Sequence, residues 1–200
     1  MKVLGLTGQS GTGKSTVARL FEELGAARLD VDQVAREIVR PGGPVLREIA
    51  AVFGCGVILE DGSLDRRRLA GIVFSDPGEL ARLNTITHPI LRARVAEWLA
   101  GVRNRKKPPE VAVVDAAVLI ESGIVDLVDR VAVTVANREE QVRRITERDG
   151  VLREQAIRRI QSQTPEADLL ARADYVIRTD VEMDETAQQV AAVWQDLGGS

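Results

Sequence analysis

The sequence predicts an α/β protein, a parallel sheet with helices on both faces, carrying a helical insertion and an arginine-rich helical segment. Three observations predict it. Short β-branched and apolar runs alternate with segments of helical periodicity, the pattern of repeated strand–helix–strand units. A complete Gly-x-x-x-x-Gly-Lys-Ser string, Gly8 to Ser15, joins the first strand to the first helix. The stretch between the second and third strands reads as mostly helical.

Residues 3–7, Val-Leu-Gly-Leu-Thr, form a buried strand ending in a glycine-rich turn. From Lys14 a helix begins, with Val17, Leu20, Phe21 and Leu24 at helical spacing, and Gly25 stops it. Residues 28–32 read as a second strand with Asp30 and Asp32 at alternate positions, so both carboxylates project from one face. A helix follows from about Gln33 to Val39, broken by Pro41-Gly42-Gly43-Pro44. Helical pieces are expected at 45–53, 65–74, 77–86 and 89–101, with His88-Pro89 opening the last, and a solvated loop at 104–109. Strand signals return at 111–114 and 131–135; the apolar segment 117–120 fits either strand or turn. A helix from Arg138 to about Arg148, an interruption at Gly150 and another helix near Arg153 come next, then a strand at 175–177 and a helix at 183–196. The expected organisation is a core of residues 1–35 and 111–200, carrying an arginine-rich helical segment at about 141–163, with a mostly helical insertion at 36–110.

Composition narrows the functions available. The 200 residues are 44% hydrophobic and 28% charged, ordinary for a globular protein with a core of its own. A single cysteine, Cys55, cannot form an internal disulfide, and one histidine leaves no zinc-binding cluster. A net charge of -3 and 3% aromatic residues argue against a nucleic-acid partner. There is neither a signal-peptide pattern nor an apolar run near the roughly 20 residues of a membrane span, so a cytoplasmic, membrane-free protein is expected. Charge is uneven. Residues 130–160 hold eight arginines against five acids, whereas the tail from Asp180 has five acids and neither Lys nor Arg. Arginines number 23 and lysines 4, which makes the lysine of the glycine loop conspicuous.

The chemistry begins in that loop. Glycines let backbone N–H groups turn inward around phosphates, and the helix N-terminus adds partial positive charge. Lys14 then reaches the β- and γ-phosphates, and the Ser15 hydroxyl serves Mg²⁺. Gly8, Gly11, Thr12, Gly13 and Thr16 belong to the same ATP-binding set, which Arg144 and Arg148 further along are expected to join. A dinucleotide fold would need glycine where Thr16 stands, and it leaves Lys14-Ser15 without a purpose. A GTPase would need Asn-Lys-x-Asp, and no Asn-Lys pair occurs. The motif and its context therefore predict a sheet of the P-loop NTPase type.

Asp32 and Asp30 fall beside the loop at a strand's carboxyl end, where open α/β sheets bind ligands. A carboxylate there can take the proton of an acceptor hydroxyl or help hold Mg²⁺; solvation or helix capping is the structural alternative. Asp115 ends the 111–114 run like a Walker-B acid. Arg143, Arg144, Arg148 and Arg153 flank Gly150, and Arg144 and Arg148 share a helical face. A mobile arginine segment closing over triphosphate would exclude water and spread charge. The alternative is an exposed face paired with Glu139, Glu140, Glu147 and Asp149. A lone histidine such as His88 is more often structural.

Over essentially its whole length the chain resembles the dephospho-CoA kinase family. The matching segments include 6–8 with 13–16, Asp30-Val31-Asp32-Gln33-Val34-Ala35-Arg36-Glu37, Asp61-Gly62-Ser63-Leu64-Asp65-Arg66, His88-Pro89-Ile90, Leu119-Ile120-Glu121-Ser122-Gly123, Arg148-Asp149, Gln163 and 173–177. The resemblance implies ATP- and Mg²⁺-dependent transfer of the γ-phosphate to the ribose 3′-hydroxyl of dephospho-CoA, giving CoA and ADP. It also implies a P-loop core, a helical substrate domain and a lid. Asp32 becomes the base or hydroxyl-orienting residue, and Asp30, Arg66, His88 and Glu121 substrate-side residues. The chain departs from the family pattern in four places. Gln9-Ser10 stands for Gly-Ile, Val31 for Ala and Ala117 for Pro, and no Asn-x-Gly follows the last strand near Thr179-Asp180.

Overall fold

Runs of consecutive apolar residues make the central strands, because successive side chains in a strand face opposite ways and both faces here are covered. The computed structural model describes residues 1–199. Its strands are β1 (Lys2–Thr7), β2 (Ala27–Asp30), β3 (Val111–Asp115), β4 (Arg130–Val135) and β5 (Tyr175–Arg178), all parallel, in the order β2-β3-β1-β4-β5. Strand order reverses at β1, so a crevice opens beyond its carboxyl end, where the glycine loop lies. On one face Leu4, Leu6, Val113 and Ala132 meet Val17 and Phe21 of α1 (Lys14–Glu23) and Val190 and Trp194 of α9 (Met183–Asp196). On the other, Val3, Ala112, Val114 and Val133 share a cluster with residues of the insertion.

After α2 (Val31–Glu37) leads out of the core, the insertion is built from α3 (Pro44–Phe53), α4 (Arg66–Val73) and α5 (Pro77–Arg103). Ile49, Leu69, Leu91, Val95 and Leu99 belong to the same cluster as the sheet. Further along, α6 (Arg138–Asp149) and α7 (Arg153–Gln161) are joined through Gly150, whose positive φ of 64° ends α6. These two helices have a small cluster of their own, Val142, Ile145, Ala156 and Ile160. A short α8 (Glu166–Leu170) follows, which no periodicity in the sequence announces.

Two local expectations are corrected, and one left open between strand and turn is decided. The two helices expected at 77–86 and 89–101 are one, with His88-Pro89 in its interior rather than at a start. Proline removes one backbone hydrogen bond, but buried Ile86, Leu91, Val95 and Leu99 straddle it and hold the helix together. The second strand stops at Asp30, so Asp30 and Asp32 do not share a strand face. Asp30 is the residue before the first turn of α2, and its carboxylate accepts from the Gln33 N–H at 3.0 Å. Asp32 lies within that first turn. Finally, 117–120 is a turn, not a strand.

Candidate active site

The phosphate loop is held from below by buried hydroxyls. Thr12 Oγ1 lies 2.7 Å from the Gln9 carbonyl and 2.7 Å from Thr134 Oγ1, and Thr179 Oγ1 donates to the Thr12 carbonyl at 2.8 Å. Two glycines are obligatory for steric reasons. Gly11 has a φ of +82°, and a Cβ there would sit 2.6 Å from the Gln141 carbonyl oxygen; Gly13 has a φ of +73° and faces Thr179. Gly13 also precedes α1, and no side chain caps that helix, so its first N–H groups remain available to an anion.

Charge is concentrated just behind the loop. Lys14 Nζ pairs with Asp115 Oδ1 and lies 3.4 Å from Asp32 Oδ2. Asp115 is 1% exposed, and its other oxygen accepts from Arg28 Nη2 at 2.7 Å. A carboxylate this buried needs partners of opposite sign, and it has two. Asp32, by contrast, is open to the crevice with its side chain 45% exposed, and the Ala117 N–H approaches its Oδ1 at 3.4 Å.

The crevice is a cleft of about 1760 Å³. The glycine loop, Asp30 and Asp32 form one side; Phe74, Leu80, Asn84 and His88 of the insertion, together with Glu121, form another. Arg144, Arg148, Arg158 and Arg159 close it from α6 and α7. The glycine-loop residues, Asp30, Asp32, His88, Glu121, Arg144 and Arg148 all line this space, whereas Arg66, exposed at the start of α4, lies outside the lining, as do Asp115, Arg143 and Arg153.

Among the arginines the structure discriminates sharply. Arg144 donates to the Gly11 carbonyl at 3.2 Å, to Thr179 Oγ1 at 2.9 Å and to the Thr179 carbonyl at 2.6 Å, while its Nε holds Glu140 at 2.7 Å. Arg143 points to solvent and pairs with Glu140 and Glu147. Arg143 first, then Arg144, holds the Glu140 carboxyl down to about 2. Arg148 pairs with Asp149, which also takes Arg159 at 2.7 Å. Burial pushes the His88 ring below its ordinary value, partly opposed by the backbone and carboxylate of Glu121. Glu121 in turn accepts from the Thr164 hydroxyl.

Several site residues escaped the sequence. Gln9 Nε2 donates to the Thr164 carbonyl at 2.9 Å, and Gln163 Oε1 accepts from the Ser10 N–H at 2.8 Å, so the segment after α7 is tied to the phosphate loop. Gln9 was visible only as a departure from the family pattern. Phe74, 66% exposed in the cleft, and Arg28 carried no motif.

A glycine loop on a helix N-terminus, with a lysine and strand-end acids beside an arginine-lined cleft, defines a P-loop kinase. The dephospho-CoA kinase family matches residues 2–185, and the chain belongs to that family. A dephospho-CoA kinase of Geobacter sulfurreducens is 43% identical over 194 residues, covering 97% of this chain and 98% of the relative. One of Leifsonia xyli is 44% identical over 200 residues, covering 100% of both. Among solved structures, TT1252 from Thermus thermophilus superposes with a TM-score of 0.82 at 31% identity, covering 98% of this chain and 97% of that one. Dephospho-CoA kinase from Campylobacter jejuni gives 0.69 at 26%, covering 98% of each. Shikimate kinase from Bacteroides thetaiotaomicron, at 15% identity, 0.57 and 98% coverage of both chains, shares the fold alone.

Proposed function

We propose that this kinase transfers the γ-phosphoryl group of ATP to the ribose 3′-hydroxyl of dephospho-CoA, giving CoA and ADP, the last step of coenzyme A synthesis. The observation that carries the reading is the placement of Lys14 between Asp115 and Asp32 at the open end of the glycine loop. Gly8, Gly11, Thr12, Gly13, Ser15 and Thr16 supply the phosphate cradle. Lys14 neutralises charge on the γ-phosphate as it leaves ADP. Asp32 orients the acceptor hydroxyl and takes its proton while the oxygen bonds to phosphorus; the electron pair of the broken bond departs with ADP.

Arg144 is the ATP-side arginine, with Arg148 beside it, and residues 141–163 act as the lid. The insertion at 36–110 receives the acceptor, with Asp30, His88 and Glu121 on its side of the cleft. The exposed Arg66 joins them only if α4 moves inward. His88, with its lowered pKa, meets the substrate as a neutral ring at pH 7. Mg²⁺ suits the donors present. Among the described residues no group of three or more His, Cys, Asp or Glu can hold a metal, so no protein cage exists, whereas Ser15 offers a hydroxyl on the cleft. Magnesium characteristically takes one or two protein oxygens plus phosphates and water, and when bound it would supply positive charge to offset that of the phosphates. The partners on this reading are small molecules, not nucleic acid or membrane. The cytoplasm is the expected site of action, in keeping with a chain in which no described helix is long and apolar enough to cross a membrane.

The test is coupled ADP release across acceptors. Dephospho-CoA should stimulate release and yield one CoA per ADP. Stimulation by a nucleoside, a nucleotide or shikimate instead would overturn the acceptor assignment.

A further inference from the structure

Asp115 is bonded on both oxygens by different cations, and one of those cations has another destination. Lys14 holds Oδ1; Arg28 holds Oδ2 at 2.7 Å. Asp115 is 1% exposed, so both cations serve a desolvated carboxylate. Lys14 is 13% exposed at the edge of the cleft, where arriving phosphates draw it forward and away from the aspartate. A buried carboxylate that loses its only counter-ion opposes that movement strongly. Asp115 has a second counter-ion that no phosphate reaches.

Arg28 projects from β2, the edge strand in register with β3, where Arg28 stands opposite Val113 and Asp30 opposite Asp115. Its guanidinium is fixed from the other side by Glu22 of α1 at 3.0 Å, and Asp30 lies 3.7 Å away. It does not line the cleft. Its Nε is buried without a hydrogen-bond partner, so the group accepts an imperfect setting to keep Nη2 on Asp115. An arginine is suited to this duty because it stays charged and forms fixed, directional bonds.

We propose that Arg28 is a positioning residue: the permanent counter-ion of Asp115 that frees Lys14 to engage the phosphates of ATP. The inference rests on the assignment of the glycine loop as the ATP site. Without Arg28, Lys14 is the sole partner of a buried charge, and nucleotide must compete for it.

The experiment measures binding of a non-hydrolysable ATP analogue by calorimetry, with turnover and thermal unfolding on the same samples. Arg28→Leu should weaken binding about tenfold, raise the KM for ATP similarly and change the KM for dephospho-CoA less than about twofold. Arg28→Lys should stay within about threefold of the parent. In the double variant Arg28→Leu with Asp115→Asn, the buried charge that holds Lys14 is gone and only the partly exposed Asp32, 3.4 Å away, still pairs with it, so analogue affinity should recover most of the loss. Should Arg28→Leu fail to fold, Arg28→Gln replaces it, with the same order expected. Parental analogue affinity in the uncharged variant, or a double variant no tighter than the single one, overturns the proposal. A parent protein that does not bind the analogue at all strikes the ATP-site assignment instead.

Discussion

The phosphate loop and the arginine-bearing helices above it line the same cleft with opposite kinds of atoms. The loop is fixed by backbone and by buried hydroxyls, with Thr12, Thr134 and Thr179 bonded beneath it and glycines where a Cβ would collide. The helices α6 and α7 present long side chains in exposed pairs: Arg143 with Glu147, Arg153 with Glu139, Arg159 with Asp149. Exposed pairs contribute little each and rearrange at little cost, whereas a desolvated hydroxyl network does not. The α6–α7 pair also keeps a small apolar cluster to itself. One half of the site is therefore built before ligand arrives, and the other can reorganise around it. Arg144 is the exception that joins them, reaching from α6 to Gly11 and Thr179.

Substitutions can break this contrast, beginning with the fixed half. Lys14→Ala removes the charge that follows the γ-phosphate, and kcat should fall about 10²–10³-fold while the unfolding temperature stays near the parent's. Near-parental turnover would show that the loop does not serve transfer. Asp32→Asn keeps the shape and removes the proposed proton acceptor; a loss of about 10²-fold or more in kcat is expected, with nucleotide affinity little changed. Asp30→Asn is its control and should lose much less, since asparagine caps α2 nearly as well as aspartate. A crippled Asp30→Asn beside a normal Asp32→Asn would reverse the two roles.

Among the arginines of α6, Arg144→Ala should raise the KM for ATP about tenfold, because its bonds reach the loop, whereas Arg143→Ala should change kcat and KM less than about twofold. Equal losses would mean that the exposed arginines also meet phosphate. The smallest effect is on His88, the sole histidine, whose ring resonances can be followed without assignment. Its midpoint should lie below the ordinary value of about 6.5, and Glu121→Gln should lower it further by removing the opposing carboxylate. The sign for stability follows. A folded pKa below the unfolded one means that the unfolded chain binds the proton more readily, so this group's contribution is intact above about pH 6.5 and declines as pH falls toward the folded value. A midpoint at or above 6.5 would contradict the burial of the ring.

The fixed half was also the legible half. The glycine loop could be read residue by residue because its chemistry demands particular residue types at particular spacings. The parallel sheet was legible because buried strands read as unbroken apolar runs. What the sequence hid depended on long-range competition. Pro89 looks like a helix start until the buried stripe from Ile86 to Leu99 outweighs it. Asp30 and Asp32 look like strand residues until capping of α2 claims the first. Arg28 and Gln9 matter through partners far along the chain, Asp115 and Thr164, that no local pattern connects.

Hydrogen exchange measured along the whole chain, with and without an ATP analogue plus dephospho-CoA, tests this division most directly. Amides of β1 and α1 should be well protected in the free protein and change little. Those of 141–163 should exchange faster when free and slow markedly when both ligands are present. Exchange across 141–163 that is the same with and without ligands would contradict the account, leaving those helices as a solvated charged surface.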